Sequence, residues 1–135
     1  MDSTIFKKLK AKPGMTAALL YVPADYPIWE DFCDVKDGKD DFVHLFVSSK
    51  AEFSERFADA AEAVRDDGVF WLSYPKSAGK LKYDINRDSL WGLAISHGWH
   101  PVAQVSLDEQ WSAMRLKRNE PGEVYEPPKN VKVSN

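Results

Sequence analysis

At 135 residues the chain has the length of a single domain, and a 44% apolar share with five Trp, seven Phe and five Tyr supplies enough bulk for a self-sufficient core. Eighteen basic against 21 acidic residues leave a formal charge of −3, which excludes a general attraction for nucleic acid or anionic lipid, so any anion site must be local. The lone cysteine, Cys33, cannot form an internal disulfide, no apolar run reaches the roughly 18–20 residues that cross a bilayer, and residues 1–9 lack the apolar stretch of a secretory signal, so a cytoplasmic location is expected.

Residues 1–12 read as a polar lead-in in which Ile5, Phe6 and Leu9 dock as a partial helical turn, and Pro13-Gly14 breaks it. The apolar run from Thr16 to Val22, stopped by Pro23, predicts a strand covered on both faces. A short helix is expected within Ala24 to Phe32, with Ile28, Trp29 and Phe32 on one side. After the charged turn Asp37 to Asp41, Phe42 to Val47 forms a second buried-type strand. Ser49 and Glu52 then make a capping box, each side chain satisfying an otherwise orphaned backbone N–H, and Phe53, Phe57, Ala60, Ala61 and Val64 recur at the helical period. Asp66-Asp67-Gly68 is expected to end this helix, with Gly68 in the left-handed position.

Val69 to Tyr74 is the third strand, stopped by Pro75, and Lys76 to Tyr83 is a basic loop. Asp84-Ile85-Asn86 offers starting residues for a helix from about Arg87 to His97, closed by Gly98. Val102 to Leu107 and Trp111 to Lys117 are two further strands, and only Asp108-Glu109-Gln110 separates them, so they pair as an antiparallel hairpin. Strands alternating with helices predict parallel strands joined by crossovers. The expected fold is therefore one α/β domain over residues 1–118, a three-layer, Rossmann-like, mostly parallel sheet closed at its edge by the antiparallel C-terminal hairpin, with residues 119–135 as an extended tail. From the second strand onward the order resembles the second half of a Rossmann-like methyltransferase domain, a likeness of fold that licenses no function.

A methyltransferase or dinucleotide enzyme needs glycines after its first strand so that the backbone approaches the cofactor closely, and here the sequence is Val22-Pro23-Ala24-Asp25-Tyr26. A Walker loop has no match, His44, His97, His100 and Cys33 show no zinc-ligand spacing, and Ser73 and Ser112 lack the Gly-x-Ser-x-Gly elbow. No cofactor, metal site or catalytic residue is expected. Ligands of open α/β sheets bind at the carboxyl ends of the parallel strands, and there Tyr74 leads into a loop where Lys76, Lys80, Lys82 and Arg87 cluster. Arg115, on a face with Trp111 and Ala113, is a second candidate, with pairing to Asp108 or Asp88 as the structural alternative. Tyr74, Lys76, Arg87 and Arg115 are thus the candidate ligand contacts. Trp71 is expected in the core; Trp29, Trp91 and Trp99 are candidates for partial exposure as partner anchors, with a core or domain-capping role favoured for each.

Three blocks carry a resemblance: Trp71-Leu72-Ser73-Tyr74-Pro75-Lys76, then Asp84-Ile85-Asn86-Arg87-Asp88, then Gln104 to Arg115 with Trp111-Ser112 at its centre. Together with Lys12-Pro13-Gly14-Met15 they resemble the signature of a bacterial family of domains of unknown function, over roughly residues 8–117. The resemblance implies a small bacterial cytosolic α/β protein and brings no activity, substrate or catalytic residue with it. The functional expectation is a non-enzymatic binding or interaction module with a protein partner. The alternative is a small enzyme or sensor that takes a phosphorylated or carboxylate metabolite at the loop after the third strand. Neither nucleic acid nor membrane is an expected partner.

Overall fold

The computed structural model describes residues 3–28, 31–33, 39–76 and 83–125. In chain order the elements are α1 (Ile5–Lys8), β1 (Ala17–Leu20), β2 (Asp40–Phe46), α2 (Lys50–Ala63), β3 (Val64–Pro75), α3 (Arg87–Ser96), β4 (Trp99–Ser106) and β5 (Trp111–Arg118). The strands form one sheet in the order β1-β2-β3-β5-β4. β1, β2 and β3 pair in parallel, whereas β5 is antiparallel to both β3 and β4.

This corrects the expected Rossmann-like architecture in two ways. The antiparallel ladders carry the larger part of the pairing, so the sheet is mixed rather than mostly parallel. Alternation of helix and strand fixes strand direction, and β4 does run parallel to β3, since both oppose β5. It does not fix adjacency: the crossover through α3 skips one position, and the hairpin folds β5 back into the gap, a split βαβ arrangement. The hairpin therefore completes the middle of the sheet instead of trimming its edge.

The second correction concerns layers. Phe53, Phe57 and Ala60 of α2 and Leu90 and Ala94 of α3 bury against the same sheet face, formed by Val43, Leu45, Phe70, Leu72, Met114 and Leu116. Alternation of side chains puts Phe42, Phe46, Trp71 and Ala113 on the opposite face, and among the described residues no long helix covers it. Its cover is the N-terminal segment: Ile5, Phe6 and Leu9 around α1, then Tyr26, with Val22 and Phe32 at the margin. The domain has two regular layers and one irregular cover, not three layers. Edge position also explains β1, whose four residues are all partly exposed rather than covered on both faces. Part of the helix expected within residues 24–32 falls outside the described residues, and the described part is turn and coil.

Local signals act with small displacements. The Ser49 Oγ accepts from Glu52 N at 3.1 Å, as capping requires, yet the Glu52 carboxylate accepts from Ser48 N and Ser48 Oγ at 2.7 Å each. The reciprocal box forms at α3 instead, where Asn86 Oδ1 accepts from Ser89 N and Ser89 Oγ accepts from Asn86 N, both at 2.9 Å. Gly98 ends α3 at φ 91°, as expected. At the end of α2 the left-handed residue is Asp67, φ 63°, and not Gly68. Gly68 is needed for space: a Cβ there would lie 2.8 Å from the Arg65 carbonyl oxygen and 2.9 Å from Val64 Cγ2. The chain folds on itself here because α2 passes straight into β3, leaving residues 65–68 between the pairings of Val64 and Val69 with β2. Among the described residues no helix is long and apolar enough to cross a membrane.

Gly68→Ala is expected to lower stability by about 1–3 kcal/mol, the usual range for overpacking. Urea unfolding followed by tryptophan fluorescence measures it, and an unchanged midpoint would remove the steric account of this bend.

Candidate functional site

At the carboxyl end of β3 the expected anion contacts are engaged with the protein itself. The Lys76 ammonium donates to Ser106 Oγ at 2.5 Å and to the Asp108 carbonyl at 2.6 Å, while Lys76 N donates to Gln110 O at 2.7 Å. Lys76 thereby fixes the β4–β5 turn to the end of β3. Arg87 Nε lies 3.1 Å from Asp88 Oδ1. Tyr74 is buried against the helix-side core, and burial, opposed by the nearby Arg87 charge, raises its phenol above the ordinary range. Asp84 places its carboxylate on Lys50 N, 3.0 Å away, so the positive end of α2 already holds an anion. Lys80 and Lys82 lie outside the described residues. Tyr74 and Arg87 are brought together, and Lys76 faces the hairpin.

Arg115 stands elsewhere. Tyr74 pairs with Ser112 across β3 and β5, and Arg115 pairs with Trp71, three residues or roughly 10 Å farther toward the amino end of β3. Neither expected carboxylate pairs with it: Asp108 Oδ1 accepts from Gln110 N at 2.8 Å and Trp111 N at 2.7 Å, closing its own turn, and Asp88 meets Arg87. Arg115 Nε is buried without a hydrogen-bond partner. Arg115 is among the residues that line a cleft of about 440 Å³ between the residue 65–68 bend and the end of β5.

Lys117, Arg118, Arg65 and Trp99 share this cleft, as do the acids Asp66, Asp67 and Glu120. Two of the cations are occupied. Arg65 lies 3.1 Å from Asp41 and donates to the Lys39 carbonyl, and the Arg118 guanidinium sits 4.7 Å over the Trp99 ring. Trp99 is buried, in line with the favoured core or capping role, and Trp71 is a core residue as expected. The cleft pairs an apolar wall with one arginine whose donor Nε is unsatisfied. Its residues come from a sharp bend and a strand end, which periodicity alone does not bring together.

Sequence reasoning missed a third cluster. His44 and Ser73 lie on adjacent strands of the cover-side face, and His44 Nε2 is 2.6 Å from Ser73 Oγ. Tyr26, from the cover, brings its hydroxyl 2.9 Å from His44 Nδ1. The order hydroxyl, imidazole, orienting group resembles an activated nucleophile. However, Ser73 and His44 are fully buried, and burial lowers the His44 imidazole to about 3. The orienting group is a phenol that burial pushes above its usual range, so it stays neutral and offers no charge to hold an imidazolium. The trio satisfies buried polar groups in a dry aromatic setting, with Phe46 tilted against His44 at 4.5 Å.

The remaining histidines serve local roles. His97 Nδ1 is 2.8 Å from Leu93 O at the end of α3. His100 meets Asn119 Oδ1 at 2.9 Å and stacks on Tyr125 at 4.0 Å, so residues 119–125 lie back against β4. Residues 126–135 of the expected tail lie outside the described residues. Among the described residues no three His, Cys, Asp or Glu side chains gather to hold a metal ion. Compared with protein-family models and with curated proteins, the chain matches none.

Lys76→Met removes the ammonium that ties the hairpin turn to β3, and a loss of about 1 kcal/mol is expected for this half-exposed charged donor. The urea midpoint should fall with an unchanged m-value. A stability equal to wild type would mean that Lys76 is free for a ligand after all.

Proposed function

We propose that this domain is a non-catalytic binding module whose ligand is an anion, a carboxylate or phosphate, held at Arg115. The observation that carries this reading is the buried, unpartnered Nε of Arg115, a residue that lines the cleft between the residue 65–68 bend and β5. A buried donor without a partner costs about 1–3 kcal/mol, and a fold that keeps one calls for a reason, of which a bound ion or anionic group is one. A guanidinium presents two parallel donors that match carboxylate and phosphate oxygens, and such charge-assisted bonds are roughly twice as strong as neutral ones. The mixed charges around the cleft favour a small or zwitterionic ligand over a polyanion, because Asp66, Asp67 and Glu120 repel extended negative charge.

The loop after β3 is the weaker place for such a ligand. Lys76 already spends its donors on Ser106 and Asp108, and Arg87 is paired with Asp88. A protein partner remains compatible with the same cleft if it presents a carboxylate side chain or chain terminus.

Thermal shift against inorganic phosphate, acetate, free amino acids, dicarboxylates and nucleotides tests the reading. A ligand at a hundredfold excess over Kd adds about 2.7 kcal/mol. At least one anion should raise the melting temperature of the wild type and of Lys76→Met, but not of Arg115→Met. Without ligand, Arg115→Met should be the more stable protein by about 1 kcal/mol, since the unsatisfied donor is gone. A flat panel, or a shift that survives Arg115→Met, overturns the assignment.

A further inference from the structure

Among the described residues the face of the sheet opposite the helices is closed by the N-terminal segment, and the way that segment is fastened suggests how it comes off. Apart from the four-residue α1, residues 3–28 and 31–33 contribute to the cover only turns and coil, with one short strand at its edge. Beside the β1–β2 ladder, the Thr16–Asp41 bonds that precede it and the exposed Lys8–Ser106 contact, two buried polar ties among the described residues fasten it to the sheet face. Trp71 Nε1 donates to the Leu9 carbonyl at 2.7 Å, and the Tyr26 hydroxyl meets His44 Nδ1 at 2.9 Å. Around the ties pack Ile5, Phe6, Leu9 and Tyr26, with edge-on ring contacts between Phe6 and Tyr26 and between Tyr26 and Phe46. Away from β1, cover and sheet face meet through rings and side-chain ties rather than backbone pairing, the kind of contact that opens at lower cost than a ladder.

We propose that residues 5–15 and 21–28, on either side of β1, form a cover that His44 releases when it takes up a proton, exposing the aromatic face of β2 and β3.

In the closed state the imidazole is wholly enclosed. Tyr26 from the cover and Ser73 from β3 supply hydroxyls to its two nitrogens, Phe42 and Phe46 flank it along β2, and Leu19 adjoins it from β1. Tyr26 is the titratable group that faces the ring among the described residues, and burial keeps it neutral. Desolvation alone accounts for the low basicity of the closed state, about 3, because no neighbouring charge contributes to it. Lifting the cover returns the ring to water and to the ordinary value near 6.5. The sign follows from linkage: the open state binds the proton more tightly, so acid favours opening and the closed state regains its advantage as pH rises. The window lies between about 6.5 and about 3, and across it the opening constant grows about tenfold per pH unit. What opening uncovers is Phe42, Phe46 and Trp71, large rings on contiguous strands.

Hydrogen exchange on the full chain, followed by mass spectrometry or NMR and corrected for the intrinsic pH dependence of exchange, tests the proposal. The reporting amides are Ala11, bonded to Phe6 O, Gly14, bonded to Asp31 O, and Cys33, bonded to Met15 O. From pH 7.5 to pH 5 their protection should fall about 30-fold, following the linkage relation for one histidine. Amides of the β2–β3 ladder should keep their protection over the same range. In His44→Gln, which retains a donor and an acceptor but does not titrate in this window, the acid dependence of the cover should vanish. Should that variant not fold, Tyr26→Phe serves instead: with the tie removed and the histidine intact, the cover should exchange faster at every pH while keeping the acid slope. Cover protection that is flat with pH, a parallel loss in cover and ladder, or an acid slope that persists in His44→Gln overturns the proposal.

Discussion

β3 is the constraint on which the rest of the domain depends. It lies in the middle of the sheet with β2 on one side and β5 on the other, and from Phe70 to Pro75 its residues are buried without a break. A strand in that position needs apolar cover on both faces. Two helices meet the need on one side, where Phe70, Leu72 and Tyr74 join the larger core. The other side carries Trp71 and Ser73, and a polar indole N–H and a hydroxyl must be satisfied there away from water. The irregular N-terminal segment does both jobs at once. Its backbone carbonyl at Leu9 takes the Trp71 proton, its aromatic residues fill the face, and the His44 ring, held on its other side by Tyr26, satisfies Ser73.

The two ends of β3 have opposite fates. At its carboxyl end, where parallel sheets usually receive ligands, charges are matched internally: Asp84 on the α2 amino terminus, Lys76 on the hairpin turn, Asp108 on its own loop amides, Arg87 with Asp88. Inserting the antiparallel β5 beside β3 brings the hairpin turn against this end, which is why the usual ligand edge is closed off. At the amino end the bend through residues 65–68 and the departing end of β5 leave a cleft that the chain does not fill. Arg115 reaches it because β5 runs opposite to β3, which carries the end of one strand to the beginning of the other.

Much of the element order was legible in the sequence, and the reasons differ from place to place. β2, β3, α2 and α3 carry strong local signals, namely unbroken apolar runs, a 3.6-residue stripe and cap residues, so their positions follow from nearest neighbours alone. The hairpin follows equally from the short Asp108-Glu109-Gln110 link. Adjacency in the sheet is a nonlocal property, and nothing near α3 shows that its crossover skips a strand. The cover was illegible for a related reason: a segment held by scattered ring contacts has no period to detect. Among the site residues, Arg115 was visible as a charge out of place in an apolar strand. The engagement of Lys76 was not, since its partners, Ser106 and Asp108, are thirty and thirty-two residues away. His44 and Ser73 meet only once the register of β2 and β3 is known.

Register also places Arg115 beside the cover. Trp71 is opposite Arg115 across the β3–β5 ladder, and residues directly opposite in an antiparallel pair present their side chains on the same face. The indole that holds Leu9 therefore neighbours the guanidinium whose Nε is unsatisfied. On the adjoining β2–β3 ladder, Trp71 is also the register partner of His44. One residue thus borders the titrating ring, the polar tie of the cover and the cleft arginine. Packed interiors transmit small displacements because they have few voids to absorb them. A change in the seating of the cover acts directly on Trp71 as well as on His44, and by thermodynamic reciprocity whatever coupling that produces at Arg115 acts equally from Arg115 on the cover.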